Sequence, residues 1–122
     1  MATRYKKGDM DTRPWGTWEV LESSDTYCVK KITVNPGAIL SLQMHNFRAE
    51  HWIIAKGNAM IVLGEDTLYR TQDEAVYIPV KTKHRIKNTS DSENLVFIEV
   101  QTGETLDEED IIRFEDNYGR TQ

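Results

Sequence analysis

Cysteine, histidine and proline are all scarce in this chain. Its 122 residues include one cysteine, three histidines and three prolines. The single thiol, Cys28, excludes an intrachain disulfide. With no base beside it in sequence, it reads as a small buried hydrophobe rather than a nucleophile. No apolar run approaches the roughly 20 residues of a membrane-spanning helix, so no membrane partner is expected. The opening MATRYKKGDMDTRPWG carries charge but no apolar stretch, unlike a secretory signal. A cytoplasmic location is the expectation. Positive charge is short as well, the formal net charge being −5. A nucleic-acid backbone calls for clustered cations and is not an expected partner. A small anion stays open, since one or two arginines can hold a phosphate. The length suits a single domain over 1–122, with its core from about 13 to 120 and a flexible N-terminal segment over 1–12.

Short strand signals are abundant. TWEVL, YCVKKITV, ILSLQMH, EHWIIA, AMIVL, TLYR, AVYIPV, HRIKN and NLVFIEVQ alternate with turn-formers such as SSD, NPG, KGN and GED. Many short strands at even spacing predict an all-β antiparallel barrel or sandwich. The closing LDEEDIIRFEDNYGR reads differently, as a short C-terminal helix or turn with Glu108, Glu109 and Asp110 at its solvated start.

Strand alternation sorts side chains by face. In ILSLQMH, Ile39, Ser41, Gln43 and His45 share one face, and Leu40, Leu42 and Met44 form an apolar one. Glu50, Trp52 and Ile54 share a face from which His51 and Ile53 point away. Leu95, Phe97, Glu99 and Gln101 share another. Polar groups among large apolar ones must be paired or bound when buried. A polar pocket at one end of an apolar interior would satisfy them, as would a wet sheet face.

QMHNFRAEHW gathers Gln43, His45, Glu50 and His51 within ten residues, and His84 follows Pro79 on another strand. Two imidazoles, one carboxylate and one amide oxygen suit zinc, and also manganese, iron, cobalt or nickel. Scattered polar residues that satisfy one another would give the same spacing.

These residues resemble the cupins. The first cupin motif, G-x5-H-x-H-x3–4-E-x6-G, reads here Gly37, Gln43, His45, Glu50 and Gly57. The second, G-x5-P-x-G-x2-H-x3-N, reads Asp73, Pro79, Lys81, His84 and Asn88, with both glycines replaced. RPWGTWEVL, RAEHWIIAKGNAMI, YIPVKTKHRIKN and RFEDNYGR further resemble the cupin domain of type II mannose-6-phosphate isomerases, from about Arg13 to Arg120. That family commonly has three successive histidines where this chain has His45, Asn46 and Phe47.

The resemblance implies a cupin fold, a double-stranded β-helix or jelly-roll-like barrel, and cupins often form homodimers. It implies Gln43, His45, Glu50 and His84 as ligands of one divalent ion, zinc first. It implies isomerisation of mannose 6-phosphate to fructose 6-phosphate through an enediolate. In many relatives the cupin follows a guanylyltransferase domain, so a separate nucleotidyltransferase is a possible partner here. The reaction needs a base beside C1 and C2. Glu99 is preferred because it shares a face with Phe97 and Gln101. His51 is a second candidate, with Lys30 or Lys31 behind it. Arg48, Arg113 and Arg120 are candidates for the substrate phosphate, and Arg48, beside the ligands, is also a candidate catalytic residue. The alternatives are a cupin enzyme acting on another phosphorylated or nucleotide-linked sugar, and a noncatalytic sugar-binding or regulatory cupin.

Overall fold

The computed structural model describes residues 4–107 and 109–115. In chain order its strands are β1 (Met10–Arg13), β2 (Gly16–Ser23), β3 (Tyr27–Val34), β4 (Leu42–Met44), β5 (Ala49–Lys56), β6 (Asn58–Leu63), β7 (Asp66–Thr71), β8 (Ala75–Ile78), β9 (His84–Asn88), β10 (Leu95–Thr102) and β11 (Ile112–Glu115). They form a six-stranded sheet, β1-β2-β3-β10-β5-β8, and a five-stranded sheet, β11-β4-β9-β6-β7. Residues 10–13 are the edge strand β1, in register with β2 from Met10 opposite Glu19 to Arg13 opposite Gly16.

The all-β expectation is met, but two parts of the fold reading are corrected. The sheets do not close into a barrel: no strand pairing joins their edges among the described residues. Edge strand β8 is four residues long and runs into Pro79, which has no N–H to extend a ladder. Edge strand β7 is largely exposed and polar. There is also no helix among the described residues. Of the acidic stretch read as a helix start, Glu108 lies outside the described residues; before it Asp107 bridges to Arg4, after it Glu109 lies in a turn, and then β11 pairs with β4. So short a segment gains little from helix nucleation, whereas the open edge of β4 offers ladder bonds at once.

The buried core lies between the sheets. Trp15, Ile32, Val34, Trp52, Ile54, Ile61, Ile78, Ile86, Leu95 and Phe97 form one cluster, and Cys28 packs with Val20 and Leu106 in a second. Inward-facing residues change character along the strands. On β10, Leu95 and Phe97 give way to Glu99 and Gln101, all buried. On β5, Ile54 and Trp52 give way to Glu50. On β3, Val34 and Ile32 give way to Lys30. Antiparallel register stacks these changes at one end. Glu99 lies opposite Trp52 and Lys30, and Gln101 opposite Glu50 and Cys28. One end of the interior is therefore apolar and the other polar.

The two positions where the second motif has glycine carry the backbone that glycine favours. Asp73 (φ 75°) and Lys81 (φ 58°) are the positive-φ residues other than glycine among the described residues. Lys81 uses that turn to donate its N–H to the His45 carbonyl at 2.7 Å. Asp tolerates the left-handed region better than Lys. Lys81→Gly is therefore expected to raise stability by about 0.5–1 kcal/mol. Relief of a ~1–2 kcal/mol left-handed cost outweighs ~0.4–1 kcal/mol of added unfolded-state entropy. The urea midpoint measures it, and a lowered midpoint would mean that the lysine side chain makes a contact worth more than the strain.

Candidate metal centre and adjoining cavity

Three strands meet at Gln43. On β4 it lies opposite His84 of β9 on one side and Arg113 of β11 on the other. His45 follows β4 directly, and Glu50 enters on β5 after the turn at 46–48. His45, Glu50 and His84 are 3%, 1% and 2% exposed, and each offers a ligand atom within 4.8 Å of the other two. Burial this deep means that these groups are not solvated surface polarity and must be paired or bound.

The two imidazoles are held alike. His45 Nδ1 meets the Asp110 carbonyl at 2.5 Å, and His84 Nδ1 meets the Thr82 carbonyl at 2.9 Å. A carbonyl can only accept, so each Nδ1 carries a proton and each ring turns its Nε2 toward the cluster. Those Nε2 atoms lie 3.1 Å from Glu50 Oε2 and 4.0 Å from Glu50 Oε1. Imidazoles anchored through one nitrogen with the other aimed at a carboxylate suit a divalent ion. Ser41 Oγ takes the Gln43 amide nitrogen at 3.0 Å, which leaves the amide oxygen as the ligand atom Gln43 would supply.

Charge in the cluster follows from burial and neighbours. Burial pushes the Glu50 carboxyl up, but His45 and Arg48 outweigh it and hold the group well below the usual range. Burial pulls His84 down to about 4, with His45 and Arg48 adding to it against Glu50, so the ring is neutral at neutral pH and ready to ligate. Burial, then the Glu50 charge, raises Glu99 to about 7, against Lys30 and Arg48. Burial works against the Arg48 charge, but Glu50 and Glu99 overcome it and keep the guanidinium protonated.

Glu99 is linked to the cluster through Trp52. The indole N–H donates to Glu50 Oε1 at 2.9 Å and Glu99 Oε1 at 3.2 Å. Gln101 Nε2 donates to Glu99 Oε2 at 2.8 Å. Arg48 is 6% exposed and donates from Nε to Glu50 Oε2 at 2.9 Å. A cavity of about 300 Å³ adjoins these groups, its lining including Gln43, Arg48, Glu99, Arg113, Arg13 and Lys30. A smaller one of about 20 Å³ beside Glu50 and His84 shares Leu40, Gln43 and Glu99 with it.

The structure thus brings together Gln43, His45, Arg48, Glu50, His84, Glu99 and Arg113. It does not bring His51 in: that ring is exposed and stacks on Tyr77, centroids 4.6 Å apart. Arg120 and Tyr118 lie outside the described residues. Phe114 is 37% exposed with Lys83 Nζ over its ring.

Of the two lysines held as further candidates for the base, the structure turns one inward, and it gives Asp110 a role the sequence did not suggest. Lys30 is buried, its ammonium 3.8 Å from the Tyr5 ring centroid and 4.6 Å from that of Trp18. Its signal was the lone lysine among Cys28, Ile32 and Val34 on one face of YCVKKITV. Asp110, expected at a solvated helix start, is buried. Its carboxylate accepts from the N–H groups of Asn46 (2.8 Å) and Phe47 (3.0 Å), while its carbonyl orients His45. No spacing rule links it to residues 64 positions earlier. Asp110→Ala is expected to weaken metal binding by roughly 10- to 100-fold, as loss of a ligand's supporting contacts does. Competition against a chromogenic chelator measures it, and an unchanged affinity would mean that the 45–47 turn holds itself.

Comparison with known proteins agrees with the motifs. The family described as mannose-6-phosphate isomerase C-terminal matches residues 3–116. The chain is 50% identical over 109 residues to the xanthan biosynthesis protein XanB of Xanthomonas campestris pv. campestris, covering 89% of this chain and 23% of that protein. It is 43% identical over 108 residues to a mannose-1-phosphate guanylyltransferase of Escherichia coli K12, covering 88% and 22%. The chain thus spans about a quarter of the length of these curated relatives. A structure of oxalate decarboxylase OxdC from Bacillus subtilis superposes with a TM-score of 0.74 at 22% identity, covering 87% of this chain and 30% of that one, a likeness of fold alone. The sequence motifs and the match over residues 3–116 converge, and the chain belongs to the mannose-6-phosphate isomerase C-terminal family.

Proposed function

We propose that this chain is a metal-dependent sugar-phosphate isomerase that interconverts mannose 6-phosphate and fructose 6-phosphate. One juxtaposition carries the reading. A carboxyl group poised near neutrality, Glu99, and the buried His45–Glu50–His84 cluster lie at the same polar end, and Glu99 lines a cavity rich in cations. Gln43, His45, Glu50 and His84 would hold the divalent ion, zinc by the N/O character of the set. When bound, the ion supplies Lewis-acid polarisation of the substrate's adjacent hydroxyl and carbonyl oxygens.

The protein's own groups do the rest. In the mannose-to-fructose direction Glu99 takes the proton from C2 and returns it at C1, while the O2 hydroxyl proton passes to O1. Trp52 and Gln101, one donor on each Glu99 oxygen, fix the carboxylate's direction. Arg48 and Arg113 bind the phosphate, with Lys30 adding positive charge on the cavity wall. The cavity's size, at the low end of the ~300–1,000 Å³ typical of small-molecule pockets, favours one sugar phosphate over a nucleotide-linked sugar. A separate nucleotidyltransferase as partner is supported by the likeness to a mannose-1-phosphate guanylyltransferase, of which this chain matches about a fifth.

A coupled assay for fructose 6-phosphate from mannose 6-phosphate, on chelator-stripped protein with each divalent metal restored in turn, tests this. Metal-dependent turnover that disappears in His45→Ala is the expected result. Folded, metal-loaded protein without turnover sinks the reading and moves the search to binding of other sugar phosphates, with Asn46 and Phe47 as the first places to look.

A further inference from the structure

His45 has one nitrogen, Nε2, to offer an ion, because its Nδ1–H is committed to the Asp110 carbonyl. That nitrogen already lies 3.3 Å from Arg48 Nη2. Arg48 Nε is meanwhile 2.9 Å from Glu50 Oε2, and that oxygen lies 3.1 Å from His45 Nε2. One guanidinium thus addresses two atoms that a divalent ion would take. A single imidazole lone pair serves one cation at a time, and two adjacent cations repel. The remaining arm of the fork is loosely held: Arg48 Nη1 is buried with no hydrogen-bond partner among the described residues. The side chain also borders the cavity of about 300 Å³, so an alternative position lies next to it.

We propose that Arg48 and a divalent ion compete for His45 and Glu50, and that an ion entering the cluster turns the guanidinium into the cavity, where it becomes an anion-binding group. The inference rests on the metal-site reading above and adds an order of events: metal loading creates the phosphate site. Coupling of this kind is reciprocal. An anion that holds Arg48 in the cavity must also tighten metal binding.

The test uses the full chain, zinc and a competing chromogenic chelator, with sulfate as the anion. Arg48→Met keeps much of the length and removes the charge and the fork. It is expected to bind zinc tighter than the wild type by roughly 5- to 150-fold, the usual span of coupled sites. Sulfate is expected to tighten zinc binding by the wild type and to leave Arg48→Met unchanged. Wild-type zinc affinity that ignores sulfate overturns the proposal, and this measurement needs no variant to fold. So does folded Arg48→Met that binds no tighter than the wild type. Binding lost in His45→Ala while either of those results holds means that the metal site stands and the competition does not. Zinc binding absent from wild type and Arg48→Met alike removes the metal-site reading, and the proposal with it.

Discussion

Glu50→Gln is expected to cost about 3–5 kcal/mol of folding stability, the usual penalty for removing one partner of a buried ion pair. The reason is Arg48. It is 6% exposed and its Nε donates to Glu50 Oε2, so the neutral amide leaves a guanidinium buried beside an uncharged partner. The same change removes the carboxylate between the two histidines, and metal binding should fall with it. The pH dependence has a definite sign. The Glu50 carboxyl is held well below its ordinary range in the folded chain. Its contribution is then fully present above the unfolded value of about 4.5 and is lost as pH falls through the folded value. The gap between wild type and variant should be widest at neutral pH and narrow in acid. Urea unfolding with chelator present measures it. Equal stability at neutral pH would mean that Glu99 alone balances Arg48.

Glu99→Gln separates chemistry from metal binding. Turnover is expected to fall by about 10²- to 10⁴-fold, the contribution of a positioned general base, with zinc affinity little changed. Glu99 must be ionised to act, so wild-type activity should rise with pH through a value near 7. A bound cation nearby draws that value down. Stability runs the other way. A carboxyl whose folded pKa lies above its unfolded value favours the folded state below about 4.5, and that contribution is lost as pH rises through about 7. Wild type should therefore lose stability relative to Glu99→Gln as pH rises through this window. A base kept in a costly environment is a common trade between activity and stability. Full turnover in Glu99→Gln would remove it as the base, and Lys30, its cross-strand neighbour, would be examined next.

Much of this site was legible from period-two alternation. The buried faces of NLVFIEVQ and EHWIIA placed Glu99 and Glu50 inward and His51 outward, as the strands do. Motif spacing and the family resemblance grouped Gln43, His45, Glu50 and His84, and the strands bring them together because turn lengths fix where a strand re-enters. Alternation failed where the backbone is irregular. ILSLQMH was read as one strand, but only Leu42–Met44 is β4, preceded by an isolated bridge at Ile39. Leu40 and Gln43, three apart, consequently border the same cavity instead of opposite faces. Contacts set by long-range closure were beyond any local pattern. Asp110 reaches Asn46 and Phe47 only because β11 joins β4, and an acidic stretch before two isoleucines carries no mark of that pairing.

The position of Trp52 has an optical consequence. Its indole spans Glu50 and Glu99, and its ring lies 5.5 Å from that of His84, centroid to centroid. Any change of charge among those groups alters the local field on the chromophore, and a paramagnetic ion among the ligands would quench its emission at such short range. Loading of the centre with cobalt, nickel or manganese can thus be followed by intrinsic fluorescence, with Trp52→Phe as the control that isolates this indole from Trp15 and Trp18.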